Sequence, residues 1–415
     1  MSTRGGKFPL LDSVRAIAML CVLTGHAAYF MSLSGTHTLL RVRWEFAVQI
    51  FFIVSGFLLY RPFIRARLDG RSPRIAGYAW RRALRIVPAY WVALTVVGLW
   101  IGLAGVFTSD GVPTYYGFAQ VYRPDAAFGG LPQAWSLCVE AGFYVLLPAY
   151  AAVMSRYARP GRRLLRCELL GAGLVFLASA AYKGLLAGTG AVEDPHQVYL
   201  QLNTLAFLDA FAVGIALAAL SVSVEQGRDR PSWLRVLERR PAVTWIVALA
   251  GVWMVSTQLG LTGELQDRPG PGQYLAHHYI STLIAASIAL PAMFGDPGRG
   301  LVRRVLANRT LLWLGTIAYG ATLFHMAVLT QLERLHFTAV AAITGTWVWI
   351  AVTLLATACL AGASYYAIER PLLRLKRLVP VVRRSAPPQD NLLRDHRDGA
   401  ISVAEGQEQL VATVG

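Results

Sequence analysis

Of 415 residues, 55% are hydrophobic and 15% charged, and the mean hydropathy is +0.47; a chain this apolar is no ordinary soluble domain and reads as a helical protein with many membrane spans. The net charge of +16 would suit a nucleic acid, but the basic residues fall in short loops between apolar segments, where they report membrane orientation, so no nucleic-acid partner is expected. Four cysteines, Cys21, Cys138, Cys167 and Cys359, lack metal-ligand spacing and imply neither a metal site nor a disulfide framework.

The first apolar segment, residues 10–30, is about one bilayer crossing long and carries Asp12, Arg15 and His26. Its length, its buried charge and the membrane segments that follow argue for a retained span and against a cleaved signal peptide. Arg15 and His26 are eleven positions apart, about three helical turns, so they lie on nearly one face. That face must meet protein or water, because an ionisable group at bilayer depth costs several kcal/mol unless it is paired or solvated.

Hydropathy predicts an all-α integral membrane protein, a bundle of about ten transmembrane helices near 10–31, 44–60, 86–107, 134–154, 168–187, 200–222, 242–259, 277–294, 311–331 and 341–368. Of the Lys and Arg residues, 32 fall on the side of the N-terminus and 5 in the opposite loops, which places both termini in the cytoplasm. The opposite loops are rich in Gly, Pro and aromatic residues, as in 108–133, and either line an entrance or simply connect spans. Residues 8–375 form one membrane domain on this reading, and the polar stretch 380–415 is expected to be a disordered cytoplasmic tail.

The depths of the spans place the remaining buried polar groups. Glu140 lies roughly 9 Å below the outer surface at 1.5 Å per residue, level with His26 near the outer end of the first span, so an acid and a base can meet there. His325 also falls in the outer half. Lys183 and Asp209, on adjacent spans, neutralise each other in a structural pair. On the opposite side the loop RPFIRARLDGRSPRIAGYAWRRALRIV is more basic than orientation requires. Arg82 and Arg85, one turn apart, can direct both guanidinium groups at one anion, such as a phosphorylated ligand; contact with anionic lipid head groups is the alternative.

Six ordered motifs then resemble the acyltransferase-3 family of bacterial multi-span membrane O-acyltransferases: LDSVRAIAMLCVLTGH, FFIVSGFLLY, the Arg82–Arg85 pair, WSLCVEAGFY, LGTIAYGATLFH and YYAIERP. Ser13 stands where Gly is usual in that family, and Ala318 where Ser is usual. The resemblance implies a multi-pass protein of the bacterial cytoplasmic membrane that moves an acyl group from cytoplasmic acyl-CoA, acetyl-CoA first, to a hydroxyl. The acceptor it implies is a carbohydrate, a glycolipid or a glycosylated antibiotic. Arg82, Arg85 and Arg15 would hold the donor. His26 would act as general base with Glu140 as its orienting partner and Arg15 beside them, or as a covalent acyl carrier. Asp12, Ser55, Trp135, His325 and Glu369 fall in the motifs as supporting residues. A transporter or flippase for a sugar, lipid or antibiotic is the rival reading of ten spans with buried ions, and binding of acyl-CoA separates the two.

Overall fold

The computed structural model describes residues 8–33, 44–71, 74–158, 161, 163–228, 230–261, 269–337 and 345–378. The anticipated tail, 380–415, lies outside the described residues. Eleven helices carry the architecture: α1 (Leu10–Leu33), α2 (Phe46–Leu68), α3 (Ile75–Ile101), α4 (Trp135–Tyr157), α5 (Leu164–Gly188), α6 (Thr204–Glu225), α7 (Ser232–Arg239), α8 (Ala242–Thr257), α9 (Pro271–Met293), α10 (Arg309–Arg334) and α11 (Thr346–Ser364). Among the described residues there is no strand, as expected where lipid offers backbone groups no hydrogen bonds and each segment must satisfy its own.

Among the described residues nine helices are long and apolar enough to cross a membrane. The segment anticipated at 242–259 is different: α8 has 16 residues and joins α7 at a bend of 92°. Pro241 sits at the bend; it lacks an N–H for a continuing helix and disfavours helical geometry at Arg240. The amphipathic sequence SWLRVLER therefore leaves the axis of α8 rather than extending it. Among the described residues the count is nine spans, or ten if the bent pair makes one crossing.

Helix α2 is the hub, packed against α6, α9 and α1 and buried over most of its length. Phe52, Phe57, Tyr60 and Phe211 are buried in this centre, with Phe143 and Phe211 stacked at 3.9 Å. Small residues let the backbones meet, as is usual where lipid provides no hydrophobic drive between helices. A Cβ on Gly56 would collide with the Phe211 carbonyl and lie 3.2 Å from the Gly214 Cα, and one on Gly214 would lie 3.0 Å from the Gly56 Cα. The peripheral helices turn large apolar residues outward, Leu170, Leu174 and Leu177 of α5 among them, which water would penalise and lipid does not.

Several charges inside the bundle are paired. Lys183 and Asp209, both fully buried, form an ion pair at 2.9 Å; Lys183 also donates to Ser179 Oγ and the Ala206 carbonyl, and His278 Nε2 donates to Asp209 Oδ2 at 2.8 Å. Near one end of the bundle Arg67 donates to Glu168 (2.7 Å) and to the carbonyls of Met154 and Ala158, while Arg61 and Arg65 both pair with Glu225. Trp80 Nε1 donates to the Leu375 carbonyl, tying the start of α3 to the end of the described chain. This is the basic end of the molecule.

The α2–α6 crossing generates a direct test. Gly214→Leu should destabilise the protein by about 1–3 kcal/mol or more, the usual cost of overpacking, read as a lower melting temperature and folded yield in detergent. Gly184→Ala, where an added Cβ meets nothing within 4 Å, should leave both unchanged.

Candidate functional site

The cations of the basic end that have no ion-pair partner among the described residues stand at the start of α3. Arg81, Arg82 and Arg85 lie on one helix stretch, and the Arg82 guanidinium sits 5.8 Å over the Tyr144 ring. Lys376, beyond the last span, is within electrostatic reach of all three; burial first, then Arg85, Arg82 and Arg81, lowers its ammonium to about 8. Like charges collected in this way favour a polyanion between them.

Glu369 lies next along the path. It is 3% exposed, neither carboxylate oxygen has a hydrogen-bond partner among the described residues, and Arg85 acts on it through space. The residue closes a π-helical turn, Tyr365–Glu369, just before the short helix Arg370–Arg374. Pro371 explains the turn: its ring and missing N–H disturb the ordinary ladder there, and the wider turn accommodates it. Tyr319 of α10 donates to the Ile86 carbonyl at 2.8 Å and lies within electrostatic reach of Glu369, Arg85 and Glu140.

In the second turn of α1 Arg15 donates to Asp12 Oδ1 at 3.1 Å, one turn back. Arg85, Glu140 and Tyr144 all act on it through space. Glu140 accepts a hydrogen bond from Ser55 Oγ of α2, with the Tyr144 hydroxyl, one turn further along α4, beside both groups. Ser55 precedes Gly56, so the close α2–α6 crossing also sets the position of this hydroxyl.

Towards the other end His26 and His325 meet. His26 Nδ1 lies 2.9 Å from His325 Nε2, and the rings are nearly parallel with centroids 5.0 Å apart. His325 is fully buried, and its Nδ1 donates to the carbonyls of Thr322 (2.8 Å) and Ala321 (3.2 Å). Trp349 Nε1 donates to the Ala27 carbonyl, and Gln133 Nε2 to the Leu323 carbonyl at 2.6 Å, so both helices are braced beside the imidazoles. Glu45, next to the start of α2, acts on His26 through space and lies 3.8 Å from His277 Nε2.

The structure thus joins Arg15 to Asp12, Glu140 to Ser55, and His26 to His325, and sets Arg85 and Glu369 between the first of these groups and the basic end. Among the described residues the Glu140 carboxylate makes no hydrogen bond to His26. Trp135 opens α4 and packs on Phe207 at 5.5 Å, toward the α2–α6 core. Sequence reasoning passed over Tyr144, Tyr319, Lys376 and Glu45. Tyr144 had a signal, since it stands four residues after Glu140 and shares its helix face. Among the described residues no group of three or more His, Cys, Asp or Glu side chains could hold a metal ion.

Comparison with known proteins gives the chain its family. The chain is 24% identical over 381 residues to the peptidoglycan O-acetyltransferase OatA of Listeria monocytogenes, covering 88% of this chain and 55% of the relative. It is 25% identical over 382 residues to the putative peptidoglycan O-acetyltransferase YrhL of Bacillus subtilis, covering 88% and 54%. To nodulation protein 10 of Rhizobium leguminosarum bv. viciae it is 25% identical over 392 residues, covering 88% and 93%. The chain therefore spans about half the length of the first two relatives. No solved structure matches it. The model of the acyltransferase-3 family, an acyltransferase domain, matches residues 8–366, and with the half-buried Arg15, Glu140 and His26 all inside that match, the chain belongs to this family.

Proposed function

We propose that the protein is a membrane O-acyltransferase that takes an acyl group, acetyl first, from acyl-CoA at its basic end and transfers it to a hydroxyl presented at the opposite end. The observation that carries this reading is a line of ionisable groups through an otherwise apolar bundle. It runs from Arg82, Arg85 and Lys376, past Glu369 and Arg15, to the His26–His325 pair. Intramembrane charge of this kind is costly and marks a substrate path. Among known relatives, two are named as peptidoglycan O-acetyltransferases, one of them putatively, which supports a carbohydrate acceptor; a glycolipid or a glycosylated antibiotic presents the same hydroxyl chemistry.

In this mechanism the phosphates of CoA rest on Arg82 and Arg85, and the pantetheine arm reaches inward past Arg15. His26 takes the proton of the acceptor hydroxyl as its oxygen attacks the thioester carbon. The tetrahedral intermediate carries its negative charge on the former carbonyl oxygen. Its collapse breaks the C–S bond, and the CoA thiolate takes the proton back from His26. Glu140, held by Ser55 beside Arg15, is the partner carboxylate. It balances the cations in the path and keeps Arg15 from drawing the donor phosphates too deep. Both termini are cytoplasmic, so the donor enters from the cytosol.

Three measurements test this. An alkaline phosphatase fused at Gly117 should be active and the same reporter at the C-terminus inactive, and the reverse pattern would invert the donor side. Arg82→Ala and Arg85→Ala should raise the donor KM with kcat much less affected, because uniform binding is lost far from the reacting carbon; an unchanged donor KM in both would remove them from the site. Lys376 carries its charge below about pH 8, so donor KM should also rise as pH passes through that value, and Lys376→Gln should flatten the rise.

A further inference from the structure

The hydrogen bonds around His325 determine which nitrogen of His26 is free to react. A backbone carbonyl can only accept, so the nitrogen of His325 that faces two of them, Nδ1 against Thr322 and Ala321 at 2.8 and 3.2 Å, must carry the hydrogen. A neutral imidazole holds one N–H and one lone pair. Nε2 of His325 therefore presents its lone pair, and it presents it to His26 Nδ1 at 2.9 Å. For that contact to be a hydrogen bond, His26 Nδ1 must donate. We infer that His325 is a positioning residue that holds His26 in its Nδ1–H tautomer, leaving Nε2 of His26 as the basic nitrogen directed at the substrate.

This inference rests on His26 being the base proposed above and adds what sets its protonation. The relation parallels that of the carboxylate to the histidine in serine hydrolases, which fixes ring orientation and tautomer without reacting itself, but here a neutral imidazole fills the role. Its own tautomer is fixed by the α10 backbone, so the information passes from two carbonyls through one ring to the next. His325 is fully buried, which keeps water from competing for Nε2. When His26 Nε2 takes the hydroxyl proton, Nδ1–H goes on donating to His325, and the imidazolium gains an acceptor at the moment its charge forms. The proton then leaves from Nε2 to the departing thiolate, so both rings return to their starting tautomers and no other group changes protonation. The arrangement also accounts for Glu140 standing elsewhere: the orienting position is already filled.

The tautomer can be observed without knowing the acceptor. In protein uniformly labelled with ¹⁵N-histidine, reconstituted in bilayers, the His26 resonances are those missing from His26→Asn. The wild type should show His26 with a protonated Nδ1 and a bare Nε2. His325→Leu removes the acceptor and should move His26 towards the Nε2–H form while lowering kcat by about a hundredfold or more, with donor KM little changed. His325→Gln places a carbonyl oxygen near the lost Nε2, so it should keep the Nδ1–H form and lose less activity than His325→Leu. A wild-type His26 found with Nε2–H overturns the inference, as does a well-folded His325→Leu protein with unaltered tautomer or wild-type kcat. Retained transfer by His26→Ala would instead refute His26 as the base, whichever tautomer the spectra show.

Discussion

An ionisable group inside an apolar bundle must be paired, hydrogen-bonded or exposed to a water-filled path, and this constraint organises the molecule. Away from the site it is met by closed sets. Lys183, Asp209 and His278 satisfy one another across α5, α6 and α9, and Arg67, Glu168 and Tyr60 do so near the basic end. Removing one partner from such a set strands the others, typically at a cost of about 3–5 kcal/mol. The line through the site is built differently. Glu369 has no hydrogen-bond partner among the described residues, Arg15 has one carboxylate contact with a second cation nearby, and Arg82 and Arg85 stand with Lys376, with Glu369 reaching Arg85 only through space. The contrast between satisfied and open polar groups is what separates scaffold from path.

The scaffold makes the open groups possible. Close backbone contact at Gly56 and Gly214 joins α2 to α6, and Gly315 lets α10 approach the Asp12 backbone of α1, where an added Cβ would lie 2.9 Å from the Asp12 Cα. That second approach brings α1 and α10 side by side near the basic end, and ten residues further along α10 His325 reaches His26. The histidine contact is thus a consequence of small residues placed three helical turns away. A side chain at position 315 would part the helices and the two rings with them.

Much of this was legible in the sequence because depth and helical phase follow from counting. The eleven-residue interval put Arg15 and His26 on one face of α1, and the hydropathy windows put Glu140 and His325 in the same half of the bilayer as His26. Depth, however, is one coordinate of three. Which neighbour a residue meets depends on the rotation of its helix and on lateral packing, and α4 turns Glu140 to Ser55 and Tyr144 whereas α10 delivers His325 to His26. The helix α8 was found where the apolar content of 242–259 put it, but a hydropathy window does not see the bend at Pro241 that joins it to α7. His278 was overlooked because a histidine beside another histidine at the edge of a span looks like part of a loop, and its partner Asp209 lies on a different helix.

In the proposed mechanism donor and acceptor meet from opposite faces of the membrane along the polar line. The most direct measurement uses sealed proteoliposomes of known orientation, with radiolabelled acetyl-CoA supplied only to the basic face and soluble peptidoglycan fragments or free sugars only to the other. Labelled ester is expected on the far side, with CoA thiol appearing on the near side in equal amount and neither appearing with His26→Ala. Transfer that occurs only when donor and acceptor share one compartment would contradict this mechanism.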